Sequence, residues 1–180
     1  MVLVDHSLPA EHRADTAMLN TRVCDAVVDA TTGFLGHQGR LDAAVVEYDE
    51  EARWTDIRTL QVHRWAYIYG NNLHAALALA RAAATHGHAI VIAHSRPTAH
   101  LESDRPFFNM PPAHQTTAAT VNEIDRCATA GMRVDVVVVP PSGDPLPWDG
   151  AIVYAIRRTG GSFLQATTQD EVVESLMRLA

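Results

Sequence analysis

Gly70-Asn71-Asn72-Leu73-His74-Ala75-Ala76-Leu77, followed by Ala89-Ile90-Val91-Ile92-Ala93-His94-Ser95-Arg96, decides the fold of this chain. Asn71 or Asn72 can cap a helix whose Ala-rich body favours helix strongly. The spacing predicts that helix from Leu73 to about His86, with Gly87 ending it. The run from Ala89 to Ala93 is short and unbrokenly apolar, as in a strand covered on both faces. A helix leading into a fully buried strand is half of a βαβ unit.

The same grammar extends both ways. Val2-Leu3-Val4 predicts a buried strand that ends in Asp5-His6-Ser7. Residues 14–31 carry a helical apolar spacing (Met18, Leu19, Val23, Ala26, Val27), and Gly33, Gly36 and Gly39 are expected to break the chain. Leu41 to Tyr48 reads as a strand and Leu60 to Val62 as a short edge strand. Downstream come a long loop (96–115), a helix from Thr116 to Ala130, a strand from Val134 to Val139 and a loop from Pro140 to Pro147. A helix capped by Asp149 runs to Arg158, a strand spans Phe163 to Gln165, and a last helix spans Thr168 to Leu179. Thr168 and Glu171 have the capping-box spacing for that last helix. The expectation is one α/β domain over residues 1–180: a Rossmann-like, doubly wound, mostly parallel six-stranded sheet with helices on both faces.

Composition narrows the function. The 180 residues carry a formal charge of −7, and all fourteen cations are arginines scattered along the chain. That excludes a nucleic-acid surface, which needs clustered cations to neutralise phosphates. No apolar run is long enough to span a bilayer. The opening residues lack a basic segment followed by an apolar stretch, so a cytoplasmic setting is expected. Cys24 and Cys127 both fall in helical patterns and read as buried thiols. The acidic residues Asp42, Glu47, Asp49, Glu50 and Glu51 read as a solvated face. His74 reads as partly buried, and His86 and His88 as cations favoured near a helix C-terminus.

Three loops resemble the metal-site loops of von Willebrand factor A (VWA) domains of the bacterial cytoplasmic type. The family pattern is Asp-x-Ser-x-Ser, then a Thr in a Gly-Thr-Asn turn, then Asp-Gly after the fourth strand. Here Asp5 and Ser7 match, Pro9 replaces the second Ser, Asn71 stands at the Thr, and His94 stands at the second Asp. The resemblance implies a sheet order of 3-2-1-4-5-6. It also implies that Asp5, Ser7, Asn71 and His94 converge at the switch point where such sheets bind ligands. It implies adaptor work beside a partner protein, such as a MoxR-type AAA+ ATPase, and no membrane.

The altered loops change the chemistry expected there. Magnesium wants hard oxygen ligands in octahedral geometry, whereas imidazole suits zinc, copper or nickel. Pro9 removes a hydroxyl and a backbone donor. Magnesium binding is therefore expected to be weak or absent, with no other cofactor. Asp5, Ser7, Asn71 and His94 then form a degenerate metal-ion-dependent adhesion site in a non-catalytic, protein-binding scaffold. The alternatives are a transition-metal site on Asp5 and His94, or a hydrolase using Ser7, His94 and Asp5. For the hydrolase, no Gly-x-Ser-x-Gly elbow is present. The long loops are expected to rim the crevice, with Arg96, His100 and Phe107 as the partner contact. An edge strand leaves self-association open.

Overall fold

The computed structural model of the chain describes residues 1–7, 28–39, 43–62, 70–84, 86–102, 105–106, 113–139 and 147–179. Pro9, Cys24, Asp42 and Phe107, and nearly all of the Pro140–Pro147 loop, lie outside the described residues.

The elements in chain order are β1 (Val2–Asp5), α1 (residues 28–37), β2 (Val45–Tyr48), β3 (Ala52–Thr55), α2 (Ile57–Val62), α3 (Leu73–Ala83) and β4 (His88–Ala93). They continue with β5 (Leu101–Glu102), β6 (Arg105–Pro106), α4 (Ala113–Thr129), β7 (Arg133–Val138), α5 (Gly150–Arg158), β8 (Phe163–Gln165) and α6 (Gln169–Leu179). Six strands form one sheet in the order β3-β2-β1-β4-β7-β8. β3 alone is antiparallel to its neighbour. This is the order that the resemblance implied. β5 and β6 form a separate small hairpin.

The period-two alternation of a strand splits the core between the two sheet faces. Leu3, Val46, Val91, Val134 and Val136 pack under Leu73, Leu77, Ile124, Ile152 and Ile156 of α3, α4 and α5. Val2, Val4, Val45, Ile90 and Ile92 pack on the other face against Phe34 and Leu35 of α1 and Val172 and Leu176 of α6. Each fully buried leucine contributes about 2 kcal/mol of apolar transfer. Small side chains let α3 lie close to the sheet: Ala76 and Ala80 are fully buried. Among the described residues, no helix is long and apolar enough to cross a membrane.

Several local readings need correction. Gly33 and Gly36 lie inside α1, and the helical stretch stops only near Gly39, whose φ of 62° suits glycine. The edge strand is Ala52–Thr55, and Leu60 to Val62 belong to helix α2 instead. The cause is Asp56, whose Oδ1 accepts from Arg58 N and Thr59 N, both at 2.8 Å, and so starts a helix. α3 stops at Ala83 because Ala84 is extended. His88 therefore sits in a strand, with Nε2 2.5 Å from buried Asp135. The acidic stretch is not one solvated face. Glu47 and Asp49 are buried, and both accept from Arg53 across the β2–β3 turn.

Candidate functional site

β1 and β4 are neighbours, so Asp5 and His94 meet at their carboxyl ends. α3 starts over the same point, with Asn72 as its cap (Oδ1 accepts from Ala75 N, 2.9 Å) and Asn71 turned toward Asp5. Ser7 curls back onto the strand end. Asp5, Ser7, Asn71 and His94 are thus brought together, each no more than 2% exposed.

Asp5 is ringed by donors. Its Oδ1 accepts from Ser7 N (2.9 Å) and Ser7 Oγ (2.6 Å). Its Oδ2 accepts from Asn71 Nδ2 (2.8 Å) and from His94 N, Ser95 N and Ser95 Oγ (3.2 Å each). Asn71 Nδ2 also reaches Ser95 Oγ (3.0 Å) and Ser95 O (3.2 Å). The carboxylate fixes the amide orientation, since only an NH2 group can face an ionised acceptor. Ser95 joins this ring without having been singled out in the sequence. The signal available was its place directly after His94, where the family pattern has glycine and this chain has a hydroxyl.

A hard cation needs lone pairs aimed at one point. Here N–H and O–H groups fill the Asp5 lone pairs, and Asn71 offers Asp5 its nitrogen rather than an oxygen. Among the described residues, no group of three or more His, Cys, Asp and Glu side chains stands so as to hold a metal ion. These donors occupy the Asp5 oxygens that a hard cation would otherwise use. His94 lies in the same pocket, its Nε2 3.7 Å from Asp5 Oδ2. Neither ring nitrogen of His94, nor Asn71 Oδ1, has a hydrogen-bond partner among the described residues. Tyr48 pairs with Asp5 across the β1–β2 register. Burial pushes its hydroxyl well above the usual value of 10.0 and the Asp5 charge adds to this, while Asn71 opposes it. Ser7 Oγ gives its proton to Asp5 and stands 3.1 Å from Ser95 Oγ. This contact order is not nucleophile to histidine to acid.

The rim differs from the sequence reading. Arg96 is half-buried and makes no ion pair among the described residues. His100 is buried, with Nδ1 3.3 Å from Thr116 Oγ1 of α4. It anchors the loop from beneath, on α4. The rim segment is clasped to Asn71, whose O accepts from Thr98 N (2.9 Å) and Ala99 N (3.0 Å) and whose N donates to Thr98 Oγ1 (2.9 Å).

Beneath the rim, Glu123 of α4 is fully buried and accepts from Arg81 Nε (2.6 Å) and Arg126 (3.1 Å). Burial raises its carboxyl, but His74, Arg81 and Arg126 outweigh that and hold it below 4.5. Burial and Glu123 together push the Cys127 thiol up to about 12, so it stays protonated. A folded value depressed below the unfolded one gives stability that is complete above 4.5 and fades as pH falls through the folded value. Glu123→Gln is expected to lose about 1–3 kcal/mol at neutral pH. Urea unfolding across pH should show that gap closing in acid.

The chain matches the family described as "Rv0959-like protein, vWA domain" over residues 36–177. A comparison with curated proteins gave no match. Among solved structures, it is similar to the D319A mutant of the PilB minor pilin from Streptococcus sanguinis (TM-score 0.67, 12% identity), covering 99% of this chain and 59% of that one. It is similar to proximal thread matrix protein 1 of the mussel byssus (0.64, 10%), covering 99% and 43%. It is also similar to the TFIIH p34 N-terminal domain (0.56, 13%), covering 99% and 93%. The chain therefore spans under two thirds of the length of the first two, and at these identities the likeness is one of fold. The match over most of the chain, on a sheet of this order, makes this protein a member of the Rv0959-like vWA domain family.

Proposed function

We propose that this domain is a non-catalytic binding module that takes a partner protein at the crevice over the strand carboxyl ends, without magnesium. The observation that supports this reading most is the ring of six internal donors around Asp5. The carboxylate that would face a cation is instead hydrogen-bonded from within. The positive charge at the mouth is instead Arg96, whose planar fork suits a bidentate bond to a partner's carboxylate. The family resemblance makes an ATPase of the MoxR type the partner class to try first.

The test is one comparison in two parts. In EDTA, the wild-type chain should retain its partner on co-purification, and Arg96→Glu should lose it at least tenfold, the effect of reversing one charge-assisted pair. Magnesium at a hundredfold excess over a binding site's Kd would stabilise by about 2.7 kcal/mol. The expected thermal shift with magnesium is nil. Retention that depends on magnesium would overturn the reading. So would a zinc or nickel shift that His94→Ala abolishes, which the unpartnered imidazole would explain as a transition-metal site.

A further inference from the structure

We propose that His74, which lies outside the Asp5 ring, is a positioning residue that holds the crevice rim only while its imidazole is neutral. The inference rests on the rim being the binding surface, but its test needs no partner.

The rim segment runs from Ser95 at the end of β4 to Leu101 at the start of β5. Ser95 at its near end is held by Asn71 and Asp5, and beyond it three further attachments stand among the described residues. Thr98 and Ala99 bond the Asn71 backbone, and His100 meets Thr116. The third is the bond from Leu101 N to His74 Nδ1, at 3.0 Å. The Asn71 attachment uses backbone amides and a hydroxyl, which keep their protons at every ordinary pH. The His74 bond needs a lone pair on a ring nitrogen. Neutral imidazole has one such lone pair and imidazolium has none.

The surroundings set the direction of change. His74 Nε2 lies 3.7 Å from Glu123 Oε2, and the His74 side chain is 12% exposed. The bond at Nδ1 assigns the ring hydrogen to Nε2, facing Glu123. The charged and titratable groups around it are Glu123, Arg126 and Cys127 on α4, Arg81 on α3 and His100 in the rim itself. Glu123 favours a proton on the ring, while Arg81 and Arg126 already share that carboxylate. A second ring proton adds attraction to Glu123 and turns an N–H at Nδ1 against the N–H of Leu101. Donor then faces donor, so the Leu101 amide must let go. The first residue of the β5–β6 hairpin comes loose while Asn71 still holds Thr98. Histidine is the side chain whose ordinary titration lies nearest neutrality, so a pH series is the direct way to read this bond.

The experiment follows backbone amide spectra and hydrogen exchange of the full chain from about pH 8 to about pH 5. In the wild type, the Leu101 amide should move with an inflection shared by the His74 ring. After correction for the intrinsic effect of pH, its exchange should quicken roughly fivefold, the value of one hydrogen bond. In His74→Gln, the side-chain carbonyl can accept the same bond without titrating, and Leu101 should then hold still. Thr116→Val removes the hydroxyl beside His100 Nδ1 and should leave the Leu101 response intact. A Leu101 amide that stays fixed in the wild type, or moves equally in His74→Gln, would overturn the proposal. Either result would leave the Arg96 reading standing, since that is tested by partner retention.

Discussion

Asp5→Ala is expected to lower stability by about 3–5 kcal/mol, since several buried donors lose their shared acceptor at about 1–3 kcal/mol for each left unsatisfied. For a domain of this size, that is a fall in Tm of roughly 10–15 °C. The sign separates two kinds of site. In a crevice built to hold a cation, an empty carboxylate is surrounded by other oxygens, and its loss relieves repulsion in the metal-free fold. Here Asp5 faces hydrogens from Ser7, Asn71, His94 and Ser95, and alanine would strand them in a site that water does not reach. Asp5→Asn keeps the volume but turns its own N–H2 toward some of those donors, so an intermediate loss is expected. Chemical denaturation in EDTA measures both. A metal-free Asp5→Ala protein as stable as the wild type would refute the donor-ring account.

Gly161→Ala is expected to cost about 3 kcal/mol, the upper end for forcing extra volume into a packed site. A Cβ there would stand 1.8 Å from Val134 O and 2.6 Å from Val134 C, both in the backbone of β7. The neighbouring bonds leave little room to yield. Ser162 N donates to Asp135 Oδ1 at 2.6 Å, and Val136 N donates to Ser162 O at 2.8 Å. Together they hold this segment against β7 where β8 joins the sheet. The matched control is Gly150→Ala at the start of α5, where nothing lies within 4 Å. It should be neutral or gain up to about 1 kcal/mol from helix propensity. Thermal unfolding of the pair gives the contrast directly, and equal Tm values would show that β8 can shift at no cost.

The parts of this fold readable in advance were those with one strong local cause. β4 and β7 stand out because burial on both faces demands unbroken apolar runs. α5 begins at Gly150 because Asp149 Oδ1 accepts from Ala151 N at 2.8 Å. The convergence of Asp5, Ser7, Asn71 and His94 was what the resemblance to VWA loops implied, not something spacing alone could show. What escaped prediction depends on residues distant in the chain. Ser95 looks like any loop serine until α3 brings Asn71 over it. His100 looks like a rim residue until α4 presents Thr116. Glu47 and Asp49 read as exposed because Arg53 is brought beside them only by the turn at residues 49–51. Gly33 and Gly36 break helices on average, yet packing of Phe34 and Leu35 keeps α1 helical through them.

The Asn71 and Ser95 bonds to Asp5 also bear on how the protein is made. They join positions 66 and 90 residues apart. Closing loops of that length costs chain entropy before any bond repays it, and contacts so distant in sequence are acquired slowly. A nascent or damaged chain can form the α3 cap, which needs only neighbours, yet it leaves Asp5 in water. The ring at the strand carboxyl ends therefore matures only when the central strands have joined, and an unfinished molecule lacks it.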